Sequence, residues 1–143
     1  MIIWIASFPK SGNTWVRSII SSLIYSEDGV FNFELLKKIS QFPSKKYLEN
    51  FTNKFQDIHE LKKLWITSQD FINLDKKVKF FKTHHINCRI GEYPFTNKEN
   101  TLGTIYVVRD PRNLVNSFTN HYNINEKKAK NFITDPQFVT GAI

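Results

Sequence analysis

The sequence predicts an α/β layered fold with a mainly parallel central sheet. Apolar, β-branched runs alternate with stretches of helical period. A tight glycine-containing turn joins the first run to the first helix. Basic and hydroxyl residues gather where the runs end. In open sheets of this kind the ligand sits outside the carboxyl ends of the strands, so those ends are where chemistry is expected.

The first run, from Ile2 to Phe8, is bounded by Pro9 and Gly12 and suits a central parallel strand buried on both faces. From Asn13 the period changes: Trp15, Val16, Ile19, Ile20, Leu23 and Ile24 recur at helical spacing until Glu27-Asp28-Gly29 closes the element. Phe33, Leu35, Leu36 and Ile39 predict a short helix ending near Pro43. A longer one is expected over residues 58–71, with Ile58, Leu61, Leu64 and Trp65 on one face and Lys62 and Lys63 opposite. Between them, Ser44 to Gln56 reads as a substrate-side loop. Lys77 to Thr83 predicts a second strand, and Thr104 to Val108, entered through Gly103, a stronger third. Asp110 is placed to cap a helix whose first turn holds Pro111 and whose buried face is Leu114, Val115 and Phe118. A last short helix is expected around Glu126 to Ile133.

Bulk composition bounds the function. A chain of 143 residues, 41% hydrophobic and with 13 Phe, is one domain able to bury a core. The net charge of +7, from 20 Lys and Arg against 13 Asp and Glu, favours anionic partners without separating nucleotide, nucleic acid or sulfated ligand. A single cysteine, Cys88, forms no intramolecular disulfide and suits the cytoplasm. The apolar N-terminal run is too short to span a bilayer and has no basic stretch before it, so no membrane span is expected. His59, His84, His85, His121 and Cys88 lack metal-ligand spacing, and no metal is expected. No nucleic-acid module is recognisable.

Three clusters carry chemistry. In Pro9-Lys10-Ser11-Gly12-Asn13-Thr14, a strand-to-helix turn aims backbone N–H groups and the helix N-terminus at one point, which makes a cradle for a tetrahedral anion. Lys10 adds a charge, Ser11 and Thr14 add hydroxyls, and Gly12 allows close approach. The alternative is an ordinary turn with a solvated lysine. A Walker A loop is excluded, because Lys10 precedes Gly12 rather than following it. In Lys82-Thr83-His84-His85, at the second strand's end, Lys82 and a histidine two residues on can share one side, and histidine suits removal of a hydroxyl proton near neutral pH. In Arg109-Asp110-Pro111-Arg112, followed by Ser117 eight positions after Arg109, an arginine and a hydroxyl suit phosphate recognition. The competing possibility is that the Arg-Asp pair merely caps a helix and forms an ion pair.

Taken together in this order, the clusters resemble the sulfotransferase family that uses 3′-phosphoadenosine 5′-phosphosulfate. Ser7 to Trp15 looks like its 5′-phosphosulfate loop, with Asn13 where Thr is frequent. Lys82-Thr83-His84 is similar to its Lys-Thr-His segment, and Arg109 through Ser117 to its 3′-phosphate loop. The resemblance, from about residue 2 to 122, implies a three-layer P-loop-like fold forming one partial domain over residues 1–143. It implies His84 as general base and Lys10 and Lys82 as charge stabilisers. Donor binding would fall to Lys10, Ser11, Gly12, Asn13, Thr14, Trp15, Arg109 and Ser117. It implies transfer of a sulfuryl group to a hydroxyl or amine of a small-molecule acceptor, without a metal. Family members are usually much longer and carry a later Gly-rich basic segment. The expectation is therefore a fold incomplete at the C-terminus: a fragment of a longer protein, or a short member whose site a homodimer or second chain completes. A non-catalytic anion-binding remnant and an Mg²⁺-dependent nucleotide phosphotransferase are the alternatives, the latter disfavoured by the lack of an acidic strand end.

Overall fold

The computed structural model describes residues 1–135; the closing residues 136–143, including Gly141-Ala142-Ile143, lie outside the described part. The elements in chain order are β1 (Ile2–Ser7), α1 (Asn13–Tyr25), a 3₁₀ helix (Phe33–Lys38), β2 (Ser40–Gln41), α2 (Lys45–Leu48), α3 (Ile58–Ile72), β3 (Lys79–Thr83), β4 (Arg89–Ile90), β5 (Tyr93–Pro94), β6 (Thr101–Val107), α4 (Pro111–Tyr122) and α5 (Glu126–Thr134). Four strands form a parallel sheet in the order β2-β3-β1-β6, and β4 and β5 form a separate antiparallel pair.

β1 lies between β3 and β6, as its apolar run predicts. Alternation divides its side chains between the sheet's two faces. Ile2 and Trp4 enter a buried cluster with Phe42, Phe81, Phe95 and, from α3, Trp65 and Ile72. Trp4 sits at its centre, with ring centroids 5.4–6.1 Å from Phe42, Phe81 and Phe95, and its indole N–H donates to Thr101 Oγ1 at 2.9 Å. Asp57 caps α3 by accepting from His59 N at 2.9 Å. The helix then buries Leu61, Trp65, Ser68, Gln69 and Ile72. Gln69 donates to Phe95 O at 2.7 Å, which ties the β4–β5 segment to the same layer.

The other face of β1 meets α1, which gives three layers. This docking differs from the one that helical spacing suggests. Trp15 and Leu23 are 75% exposed and Ile19 47%, while Asn13, Ser21 and Ser22 are buried. α1 is held inward by polar groups. Asn13 Nδ2 donates to Ile5 O at 2.9 Å and to Ser7 Oγ at 3.1 Å, and Arg17 Nη2 donates to Leu36 O and Ile39 O, both at 2.8 Å.

Other boundaries shift for local reasons. The helix expected to reach Pro43 is a 3₁₀ helix that stops at Lys38, after which the chain extends so that Ser40 and Gln41 pair with Phe81 and Lys82. The loop expected over Ser44 to Gln56 contains the single turn α2. β6 starts at Thr101 rather than Thr104, and a register shift between Ile2 and Ile3 leaves Leu102 as the extra residue while Gly103 pairs with Ile3. Asp110 caps α4, with Pro111 in its first turn as expected. Leu114 and Phe118 of α4 pack on Ala129 of α5 and on Phe8, which stacks on Phe118 at 5.9 Å.

Replacing Trp4 with Ala opens the centre of the aromatic cluster and removes one of the two hydrogen bonds to Thr101 Oγ1, the other being to Thr96 Oγ1 at 2.8 Å. We expect a loss of about 3–5 kcal/mol, read as a lower midpoint in chemical denaturation.

Candidate functional site

The parallel register carries the ends of β3, β1 and β6 to one edge of the sheet. From β1 the chain enters a turn with two positive φ angles, +67° at Lys10 and +103° at Gly12. Lys10 adopts the left-handed region at a steric cost that glycine would not bear, so the turn is held by its surroundings. Ser11 N donates back to Phe8 O at 3.2 Å, and Ser11 is buried. No side chain caps the start of α1. Its first-turn N–H groups, which lack intrahelical acceptors, therefore remain for an outside anion, as do the exposed Thr14 and Trp15.

His84 lies beside this turn. Its Nδ1 is 2.8 Å from Ser7 O and 3.2 Å from Ser7 Oγ. A carbonyl oxygen only accepts, so Nδ1 carries the proton and Nε2 keeps the basic lone pair. The buried Asn13 amide holds Ser7 Oγ in turn. The chain Asn13–Ser7–His84 thus fixes the imidazole to the root of the anion turn. Burial depresses the His84 pKa most, and the charges of Lys82 and Arg17 add to this against the raising effect of the Ser7 carbonyl. The Lys82 ammonium is likewise lowered, by burial and by Arg17.

The tandem histidines part company here. His85 stacks on Phe95 with ring planes 3° apart and meets Trp65 edge-on at 5.7 Å, so it belongs to the core layer. It also lines a cavity of about 370 Å³ with Trp4, Phe95, Thr101 and Thr104 on the sheet face opposite α1.

The third cluster resolves between its two readings. Asp110 accepts from Arg112 N at 2.9 Å and pairs with the Arg112 side chain at 2.6 Å. Arg109 is left out of that ion pair and reaches across to Lys10 O at 3.1 Å, which joins the third cluster to the first. Ser117 is half-buried on α4.

The fold thus gathers Lys10, Ser11, Gly12, Asn13, Thr14, Lys82, His84 and Arg109 about one sheet edge. Asn13 turns its side chain inward as a structural tie, leaving only its backbone N–H to the turn. The sequence reading placed Ser7 only at the start of the loop and did not single out Arg17. Ser7 anchors a histidine 77 positions away, which only strand register reveals. Arg17 places a third cation near Lys82 and His84, and its one sequence signal is a charge inside an otherwise apolar and hydroxyl-bearing helix. Among the described residues, no group of three or more His, Cys, Asp or Glu is placed to hold a metal ion, and no helix is long and apolar enough to cross a membrane.

A family model described as sulfotransferase domain matches residues 2–140, nearly the whole chain. No curated protein and no solved structure matches it.

The His84 environment predicts a pH dependence. Its imidazole should titrate below the usual value of about 6.5. Because the folded value is depressed, its contribution to stability is present above about pH 6.5 and is lost as pH falls through the folded value. In Lys82→Met the removal of a nearby positive charge should raise the midpoint, which imidazole NMR titration reads directly.

Proposed function

The chain belongs to the sulfotransferase domain family, and from that premise we propose that it moves a sulfuryl group from 3′-phosphoadenosine 5′-phosphosulfate to a hydroxyl of a small acceptor. The observation that carries this reading is the Nδ1 anchorage of His84 to Ser7 O. It leaves Nε2 as the basic nitrogen and fixes it next to the anion turn.

The residues fit the donor by their chemistry. The uncapped start of α1, the turn N–H groups and Lys10 suit the phosphosulfate end. Arg109 and the Ser117 hydroxyl suit the 3′-phosphate. In the reaction, His84 Nε2 takes the acceptor's hydroxyl proton as that oxygen forms its bond to sulfur. The bond between sulfur and the bridging phosphate oxygen breaks, and adenosine 3′,5′-bisphosphate leaves. Lys10 and Lys82 face the negative charge on the sulfuryl oxygens and the leaving phosphate. As in phosphoryl transfer, positioning and preorganised charge supply the catalysis. A depressed His84 pKa keeps the base unprotonated at neutral pH. Completion of the donor pocket by a second chain, and action in the cytoplasm, belong to the same proposal.

His84→Ala should lower kcat by at least about a hundredfold, the scale of general-base catalysis, while calorimetric titration finds adenosine 3′,5′-bisphosphate binding unchanged. Lys10→Ala and Arg109→Ala should each weaken that binding by about tenfold or more. Binding of the bisphosphate without any transfer of labelled sulfate would instead favour a non-catalytic nucleotide-binding role. Gly12→Ala meets no atom within 4 Å but must keep a φ of +103°, so it should weaken bisphosphate binding through the turn at a cost of about 1 kcal/mol.

A further inference from the structure

A groove of about 330 Å³ lies between α1, the 3₁₀ helix, β2 and the start of α2. Its walls carry three cations, each from a different element: Arg17, Lys37 and Lys46. Ser40, Gln41 and Ser44 supply neutral polar groups, and no carboxylate is among the described lining residues. Lys37 pairs with Glu34 at 2.6 Å. Both partners are about three-quarters exposed, so solvent screens that pair and it neutralises little. The Lys46 ammonium lies over the Tyr47 ring at 5.3 Å rather than on an acid. Arg17 spends one nitrogen on Leu36 O and Ile39 O, and its enclosed Nε has no partner. Its guanidinium therefore faces carbonyl dipoles but no full negative charge.

The groove borders β2, which pairs with the strand that ends just before His84. Gln41 pairs in register with Lys82, and Phe42 N donates to Lys82 O at 2.9 Å. Paired residues of parallel strands share a face, and His84 follows Lys82 at the two-residue repeat, so Gln41, Lys82 and His84 lie on the α1 side of the sheet. The charge of Arg17 acts on both Lys82 and His84. A molecule whose hydroxyl meets His84 thus extends past Lys82 into a cationic groove large enough for a small ligand.

We propose that this groove seats the acceptor and selects one that carries an acidic oxyanion, a carboxylate or sulfate, on the same small molecule as the reacting hydroxyl. The inference rests on the sulfotransfer reading, whose acceptor it specifies. An amine in the same position meets three cations, of which Lys37 alone has a carboxylate partner among the described residues, and a neutral phenol gains nothing from them.

The test uses the full chain and three phenols of similar size: 4-hydroxyphenylacetate, 4-methylphenol and tyramine. Binding is read by NMR titration with no donor present, and then with adenosine 3′,5′-bisphosphate. The acid should bind at least about tenfold tighter than the amine, with an affinity that falls as salt rises. In Lys37→Gln/Lys46→Gln, a pair of surface changes, its affinity should drop towards that of 4-methylphenol. Equal or tighter binding of the phenol or the amine, no detectable binding of the acid, or an unchanged affinity in the double variant would each overturn the inference. Labelled-sulfate transfer separates it from the parent reading. Selective acid binding without transfer sustains the groove and sinks the enzyme, whereas transfer to all three phenols without acid preference does the reverse.

Discussion

The parallel pairing of β1 with β3 on one side and β6 on the other is the constraint on which the molecule depends. Parallel strands finish at the same edge, so residues scattered over more than a hundred positions of sequence become neighbours there. Ser7 ends β1, His84 follows β3 and Arg109 follows β6. Each then makes a contact that crosses between strands: His84 to Ser7 O, and Arg109 to Lys10 O. Without that shared register the glycine turn, His84 and Arg109 would be three unrelated surface features.

The two sheet faces do different work. On the α3 face, Trp4, Phe42, Phe81, Trp65 and Phe95 form a buried aromatic layer that supplies apolar burial, and His85 joins it. On the α1 face the contacts are largely polar: Asn13 to Ile5 O and Ser7 Oγ, and Arg17 to the carbonyls that end the 3₁₀ helix. Hydrogen bonds have directional demands that apolar contacts lack, so this face positions groups as well as holding the helix. The outward display of Trp15, Ile19 and Leu23 follows from the same arrangement, because α1 spends its inner surface on these bonds.

Positive charge accumulates on that side. Lys10, Arg17, Lys82 and Arg109 stand near the sheet edge, and Asp110, next to Arg109 in the chain, is committed to Arg112 and to capping α4. Burial first, and then the charge of Arg17, lowers the Lys82 pKa, and burial with the charges of Lys82 and Arg17 lowers that of His84. Under the proposed function, such a field would favour an anionic donor, and burial together with these charges disfavours protonation of the imidazole.

Much of this was legible from the chain alone. The β-branched run before Pro9, the glycine turn and the change of period at Asn13 announce strand, turn and helix, because each obeys local steric rules. The three clusters were likewise visible, since their residue types and their order are properties of the sequence. The tertiary structure alone decided how they are used. Which histidine of the pair turns to the site depends on alternation along β3, and the tautomer of His84 depends on Ser7 O, 77 positions away. Arg109 could have paired with Asp110, and only the packing that brings Lys10 O within 3.1 Å and gives Asp110 to Arg112 settles the choice. Helical period likewise marked an apolar stripe on α1 but could not say which way it faces, because buried hydrogen bonds from Asn13 and Arg17 outweigh it. Local conformation is written in neighbouring residues, whereas partners, tautomers and facing directions arise from contacts between distant ones.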